Sequence, residues 1–273
     1  LQSPCRISFK YLSGETINAH GFCNASGVSS LPSNLFSGTV GELSLAQAFY
    51  QCTNLSSISS GAFNYSTNGG TRCDEMFYGC TSLLNVSGVT IPDIRSASGM
   101  FQNSGLTTIT SSLFSDSPQC STYAYCFAGC RNLRTVGSQS SPITPPEHSV
   151  TVNINSMFEN CSNLLTAEYI FGDETVLRGI SSYMQSGVMK YLSSCTNAFS
   201  GCTSMTYQPR WVCQITGVIL PTAFMPFMFE LSTLYNIDTG LPKISSISAR
   251  GCFNGCANMV NYDIYKQRYP DWF

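Results

Sequence analysis

Charged side chains are scarce in this chain, and their scarcity limits what the chain can bind. Only 10% of its 273 residues are charged, and the formal net charge is -2, whereas a typical globular domain has about 25% charged residues. The sequence has no basic runs, which argues against nucleic acids and anionic membranes as partners. Apolar runs long enough to cross a bilayer are also missing, so the sequence predicts a protein that does not span a membrane.

Residues that commonly carry catalysis are few as well. The chain has two histidines, His20 and His148, and it lacks a Gly-x-Ser-x-Gly elbow, a His-Glu-x-x-His motif and a phosphate-binding loop. Adjacent carboxylates at Asp74-Glu75 and Asp173-Glu174 are better interpreted as solvated turns than as an acid–base pair. We therefore predict a protein that is not an enzyme, with no catalytic residue and no cofactor.

The dominant feature that is present is a repeated phrase. A small residue or Met precedes Phe, and then come two variable residues, Cys, two more variable residues, and Leu or Met. Six full copies supply a structural ladder of Phe49, Cys52, Leu55, Phe77, Cys80, Leu83, Phe127, Cys130, Leu133, Phe158, Cys161, Leu164, Phe199, Cys202, Met205, Phe253, Cys256 and Met259. Weaker copies contain Phe22, Phe101 and Phe229. Units of this size cannot bury an apolar face alone, so stacked copies form a solenoid.

Each copy predicts the same local structure. The apolar spacing suits a short helical or 3₁₀ turn that carries Phe and Cys, followed by a short strand that carries Leu and Ile. We expect an α/β repeat of about nine irregular coils in one solenoid domain spanning 1–273, with parallel strands. Residues 1–20 form the N-terminal cap, 21–260 the repeats and 261–273 the C-terminal cap. Apolar residues at helical intervals within 167–196 predict an amphipathic helix in an insertion.

The repeated phrase carries a family resemblance. Phe-x-x-Cys-x-x-Leu-x-x-Ile-Pro, with Leu-Phe a few residues later, resembles the BspA-type leucine-rich repeats of bacterial surface proteins, and the resemblance covers roughly residues 21–260. It implies a right-handed leucine-rich-repeat solenoid, secretion or display at the cell surface, and a role in adhesion or host contact. A lipid anchor on the precursor is compatible with this location. The partner implied is a host or bacterial surface protein or a glycan.

The function remains open between classes at this point. A non-enzymatic binding module is our main expectation, and the alternatives are a structural component of a phage tail or fibre and a glycan-binding protein of an uptake system. Analogy of fold does not specify a ligand. The sequence indicates neither the binding residues nor the oligomeric state.

The fourteen cysteines suggest disulfides at first, but most of them fall in repeat positions. Equivalent side chains of stacked coils point in parallel, which does not suit a disulfide, so we expect the ladder cysteines to be buried free thiols that donate to nearby backbone carbonyls. Four cysteines lie outside the main registers and are the better disulfide candidates: Cys5, Cys23, Cys120 and Cys213. Zinc at Cys126/Cys130 and Cys252/Cys256 is the alternative; because both pairs recur in repeat register, we predict no metal site.

Overall fold

A computed structural model describes residues 7–9, 16–19, 21–137, 150, 152–165, 167, 192–194, 196–205, 250–251, 254–258, 263, 266–267 and 270. Within this part of the chain the strands are β1 (Ile7–Phe9), β2 (Thr16–Asn18), β3 (Ser30–Leu31), β4 (Phe36–Ser44), β5 (Ser57–Ile58), β6 (Phe63–Arg72), β7 (Ile94–Ser96), β8 (Thr108–Ile109), β9 (Thr135–Val136), β10 (Val152–Asn153) and β11 (Leu192–Ser194). One 3₁₀ helix, Ser111–Phe114, lies between β8 and β9.

All paired strands run parallel, and each pair joins segments about one repeat apart in sequence. The largest sheet has the order β1-β4-β6-β7, and β2 also pairs with β4. Three smaller sheets pair β3 with β5, β8 with β9, and β10 with β11. Parallel strands need a connection that returns the chain to the start of the sheet, so this pairing makes the chain a parallel-strand solenoid.

The longest pairing places β4 beside β6, from Phe36 opposite Phe63 to Ser44 opposite Arg72. The register shifts between Val40 and Glu42, where β6 contributes one extra residue near Gly69. Gly69 allows close contact there, because an added Cβ would lie 2.8 Å from the carbonyl oxygen of Gly41. The strands β4 and β6 of two consecutive coils therefore stay paired along their length although they have 9 and 10 residues.

The core is a column of stacked phenylalanine rings along the solenoid. Neighbouring rings are nearly parallel, and their centroids lie between 5.3 and 5.7 Å apart. The column contains Phe22, Phe49, Phe77, Phe101, Phe127, Phe158 and Phe199. Phe36 and Phe114 pack edge-on against members of this column. Offset or edge-on rings bury large apolar areas in favourable geometry, so the stack ties each coil to the next.

Two parts of the expected fold need correction. The Phe and Cys residues lie in consecutive hydrogen-bonded turns rather than in helical segments; Ala48, Tyr50 and Cys52, for example, each donate an N–H to the carbonyl three residues earlier. Almost no helix occurs among the described residues, which are therefore a β-solenoid rather than an α/β repeat, and the paired strands there define about 4 turns. The helix expected within 167–196, the copy at Phe229 and most of the C-terminal cap lie outside the described residues.

Candidate functional site

The ladder residues form the interior of the solenoid. Every ladder residue that the structure describes is buried; Phe253 and Met259 lie outside the described residues. Each ladder thiol donates a hydrogen bond to the carbonyl of the preceding coil's phenylalanine, at 3.0–3.2 Å between Sγ and O. Cys161, for example, donates to Phe127. Each of these carbonyls also accepts a backbone N–H within its own turn, so the thiol is a second donor that links one coil to the next.

Burial makes these thiols poor nucleophiles. Desolvation raises the pKa of Cys80 from 9.0 to about 12 and that of Cys256 to about 12. The pKa of Cys130 rises to about 11 for the same reason, although hydrogen bonds to Ser104 oppose the rise. Because only the thiolate attacks electrophiles or binds metals, the raised pKa keeps these sulfurs in the unreactive thiol form at neutral pH, where they pack the core.

Two of the four disulfide candidates are described, and both are unpaired, contrary to expectation. Cys120 is fully buried, and its thiol donates to the carbonyl of Thr122 at 3.5 Å. Cys23 is exposed, and Cys5 and Cys213 lie outside the described residues. Searching the described residues gives no group of three or more His, Cys, Asp or Glu side chains that could hold a metal ion.

Two columns of left-handed backbone run beside the phenylalanine stack, and sequence reasoning missed both. The first left-handed column contains Gln47, Glu75, Gly99, Tyr125, Ser156, Asn197 and Gly251; the second contains Asn24, Gln51, Gly79, Asn103, Gly129, Asn160, Gly201 and Gly255. Positive φ at the third residue of a turn is the requirement of a type II turn. The available signal was the residue directly before the ladder Cys, which is Gly or Asn in five of the six copies and Gln in the other. Gly and Asn adopt positive φ more readily than most residues.

Glycine and asparagine also fit each other across the second left-handed column. An added Cβ on Gly129 would lie 2.1 Å from Oδ1 of Asn103. On Gly201, it would lie 2.4 Å from Oδ1 of Asn160. Each amide therefore occupies the space that the glycine of the next coil leaves open, so these glycines are required by packing as well as by backbone conformation.

The outer face of these turns carries a mixed aromatic and polar cluster, which we call the tyrosine patch and define as Gln47, Tyr50, Glu75, Tyr78 and Asn103. The rings of Tyr50 and Tyr78 stack with centroids 4.7 Å apart and an interplanar angle of 6°. Gln47 Nε2 donates to Glu75 Oε2 at 2.8 Å, and Asn103 Nδ2 donates to Tyr78 Oη at 3.0 Å. Desolvation raises the pKa of Tyr50, and the charges of Tyr78 and Glu75 raise it further.

Two ion pairs lie on the same coils. Arg72 contacts Asp74 at 3.3 Å, and Arg95 contacts Asp93 at 2.7 Å. Asp74 also accepts hydrogen bonds from the Ser96 hydroxyl and from the backbone N–H of Ser98 at 3.2 Å. Each ion pair lies within one coil, and the hydrogen bonds of Asp74 with Ser96 and Ser98 join two neighbouring coils.

No protein-family model, curated protein or solved structure matches the chain. Within its described residues, no helix has both the length and the apolar character needed to cross a bilayer. In the described part of the chain, the arrangement combines a buried interior of protonated thiols with a polar exterior that carries the tyrosine patch.

Proposed function

We propose that this protein is a non-enzymatic binding module, secreted or displayed at a cell surface, that contacts a host or bacterial surface protein or a glycan. In this proposal the repeats form a right-handed leucine-rich-repeat solenoid of about nine coils, as the nine copies of the phrase suggest, similar to the BspA-type repeats. The main observation in favour of this proposal is that successive coils pair in the same way, so equivalent surface residues of neighbouring coils lie side by side. Solenoids use such extended surfaces for binding.

The composition of the surface supports contact through many small interactions. Exposed positions along β4 and β6 carry hydroxyls and amides; Thr39 and Ser66 share a hydrogen bond at 3.0 Å, and Asn64 donates to Asn34 at 2.7 Å. A net charge of -2 gives weak long-range steering. We therefore expect modest affinity per molecule, which display of many copies on one surface would raise through avidity.

An array of glycans and extracellular-matrix proteins, probed with the purified 273-residue chain, tests the proposal. We expect saturable binding to at least one member that changes little between low and high salt, and the heat-unfolded chain is the control. Absence of saturable binding would contradict the proposal. Turnover of any array member that is lost in His20→Ala or His148→Ala would show that the protein is an enzyme.

A further inference from the structure

The tyrosine patch contains a carboxylate without a cationic partner among the described residues. Glu75 contacts the neutral amide of Gln47 at 2.8 Å. The neighbouring carboxylates of Asp74 and Asp93 instead each contact an arginine. The charge of Glu75 contributes to the raised pKa of Tyr50, so the carboxylate lies close to the stacked tyrosine rings.

The backbone fixes this arrangement before any ligand arrives. Glu75 has φ +53° in the first left-handed column, and Gln47 occupies the same column one coil earlier. Tyr50 and Tyr78 each follow a stacked phenylalanine of the core, so their rings are placed by the coil register. A preorganised group loses little conformational entropy on binding.

The chemistry of the patch selects among ligands. A guanidinium or ammonium group gains from an aromatic ring within about 6 Å and from a charge-assisted hydrogen bond to a carboxylate. A phosphate or an acidic sugar would be repelled by Glu75. A neutral sugar hydroxyl could donate to the Glu75 carboxylate, but only a cation adds an opposite charge to that hydrogen bond. The observations therefore favour a basic side chain.

We propose that the tyrosine patch binds a lysine or arginine side chain presented by a protein partner, with Glu75 as the anionic contact and Tyr50 and Tyr78 as the aromatic contacts. The inference deepens the proposed binding function and rests on it. Because the contact involves a single ion pair, salt should weaken it only slightly, which is compatible with the small effect of salt on affinity expected for the whole surface.

The test is an NMR titration of the full 273-residue chain with Nα-acetyl-arginine amide, followed at the ring resonances of Tyr50 and Tyr78. The matched probe is the uncharged Nα-acetyl-citrulline amide. We expect saturable shifts with the arginine probe and none with the citrulline probe. Equal shifts with both probes, or no saturable shift with either, would overturn the proposal.

Variants separate the carboxylate from its surroundings. Glu75→Gln keeps an oxygen for Gln47 and fits the backbone, because Gln47 and Gln51 are glutamines at positive φ in this chain. It should weaken the arginine probe about 1.5-fold to fivefold, the range of an exposed ion pair. Asp116→Asn removes an exposed carboxylate outside the patch and should leave the affinity unchanged. If Glu75→Gln binds the arginine probe as tightly as the parent chain and unfolds at the same temperature, the proposed role of Glu75 is wrong. Binding of that variant to a member of the glycan and matrix-protein array would still support the proposed binding function.

Discussion

Gly129→Ala tests the packing of the second left-handed column. Gly129 has φ +71°, and an added Cβ would lie 2.1 Å from Oδ1 of Asn103. The left-handed conformation costs a non-glycine residue about 1–2 kcal/mol. Displacing Asn103 also breaks its hydrogen bond to Tyr78, worth about 0.5–1.5 kcal/mol. Loss of unfolded-state entropy offsets about 0.4–1 kcal/mol, so the net loss of unfolding free energy should be about 0.5–3 kcal/mol.

Gly88→Ala is the matched control for backbone strain alone. Gly88 has a similar φ of +72°, but its added Cβ would meet the Cβ of Ser60 at 3.7 Å, which is ordinary contact. This variant should lose about 0–1.6 kcal/mol of unfolding free energy after the same entropy offset. Urea unfolding followed by circular dichroism measures both values.

A double-mutant cycle with Asn103→Gly isolates the contact between coils. In the Asn103→Gly background the alanine at 129 meets no amide, so only the strain should remain and Gly129→Ala should cost about 1 kcal/mol less than in the parent chain. Equal costs in the two backgrounds, or equal costs for Gly129→Ala and Gly88→Ala in the parent chain, would refute the proposed packing of amide over glycine.

Three further predictions concern the core. Phe158→Ala should cost about 3–5 kcal/mol, because Phe158 stacks at 5.5 Å on both Phe127 and Phe199; a loss below about 1 kcal/mol in urea unfolding would contradict the stack. Alkylation followed by mass spectrometry should label the ladder cysteines as free thiols after unfolding and only slowly in the native protein, because they are buried; disulfides at most of these positions would contradict the ladder. Stability should be constant below about pH 9 and fall between pH 9 and 12, because the folded state raises the pKa of Cys80, Cys120 and Cys256 from 9.0 to about 12. The expected loss at pH 10 is ~1.4 kcal/mol per thiol, and urea unfolding at pH 7 and 10 that gave equal stabilities would exclude this linkage.

The sequence predicts the stacking because the repeated phrase combines a large ring with a small thiol at fixed spacing. Each of the six ladder cysteines donates a hydrogen bond to a backbone carbonyl and does not need a disulfide partner. The number of cysteines therefore does not predict the number of disulfides. Repetition also indicates parallel pairing of coils, since equivalent residues of stacked units lie side by side. These inferences depend on composition and spacing, which are visible without coordinates.

The turn structure was harder to predict because apolar spacing alone does not distinguish helical turns from type II turns. The distinguishing residues are the polar and glycine positions, such as Gly129 and Asn160 before the ladder cysteines. The long strands β4 and β6 were missed for another reason: they contain Gly38, Gly41 and Gly69, residues that are depleted from strands. Their pairing is nonlocal, and partner strands stabilise them more than local preference does.

The tyrosine patch illustrates the remaining limit. Tyr50 and Tyr78 each follow a stacked phenylalanine, but this position is not aromatic in the following coils, where it is Gln102 and Ala128. Such a surface feature belongs to individual coils and has no repeat period, so a search for periodic residues does not find it.

The parallel pairing of successive coils has a mechanical consequence. Hydrogen bonds between coils, such as those from Phe49 to Met76 and from Gln51 to Tyr78, are aligned roughly with the solenoid axis. A tensile force along that axis pulls these bonds apart one coil at a time instead of shearing many at once. Opening the segment between Phe49 and Phe77 would release about 90 Å of extended chain, at roughly 3.3 Å per residue. A molecule held between two surfaces would therefore yield in steps and act as an extensible tether.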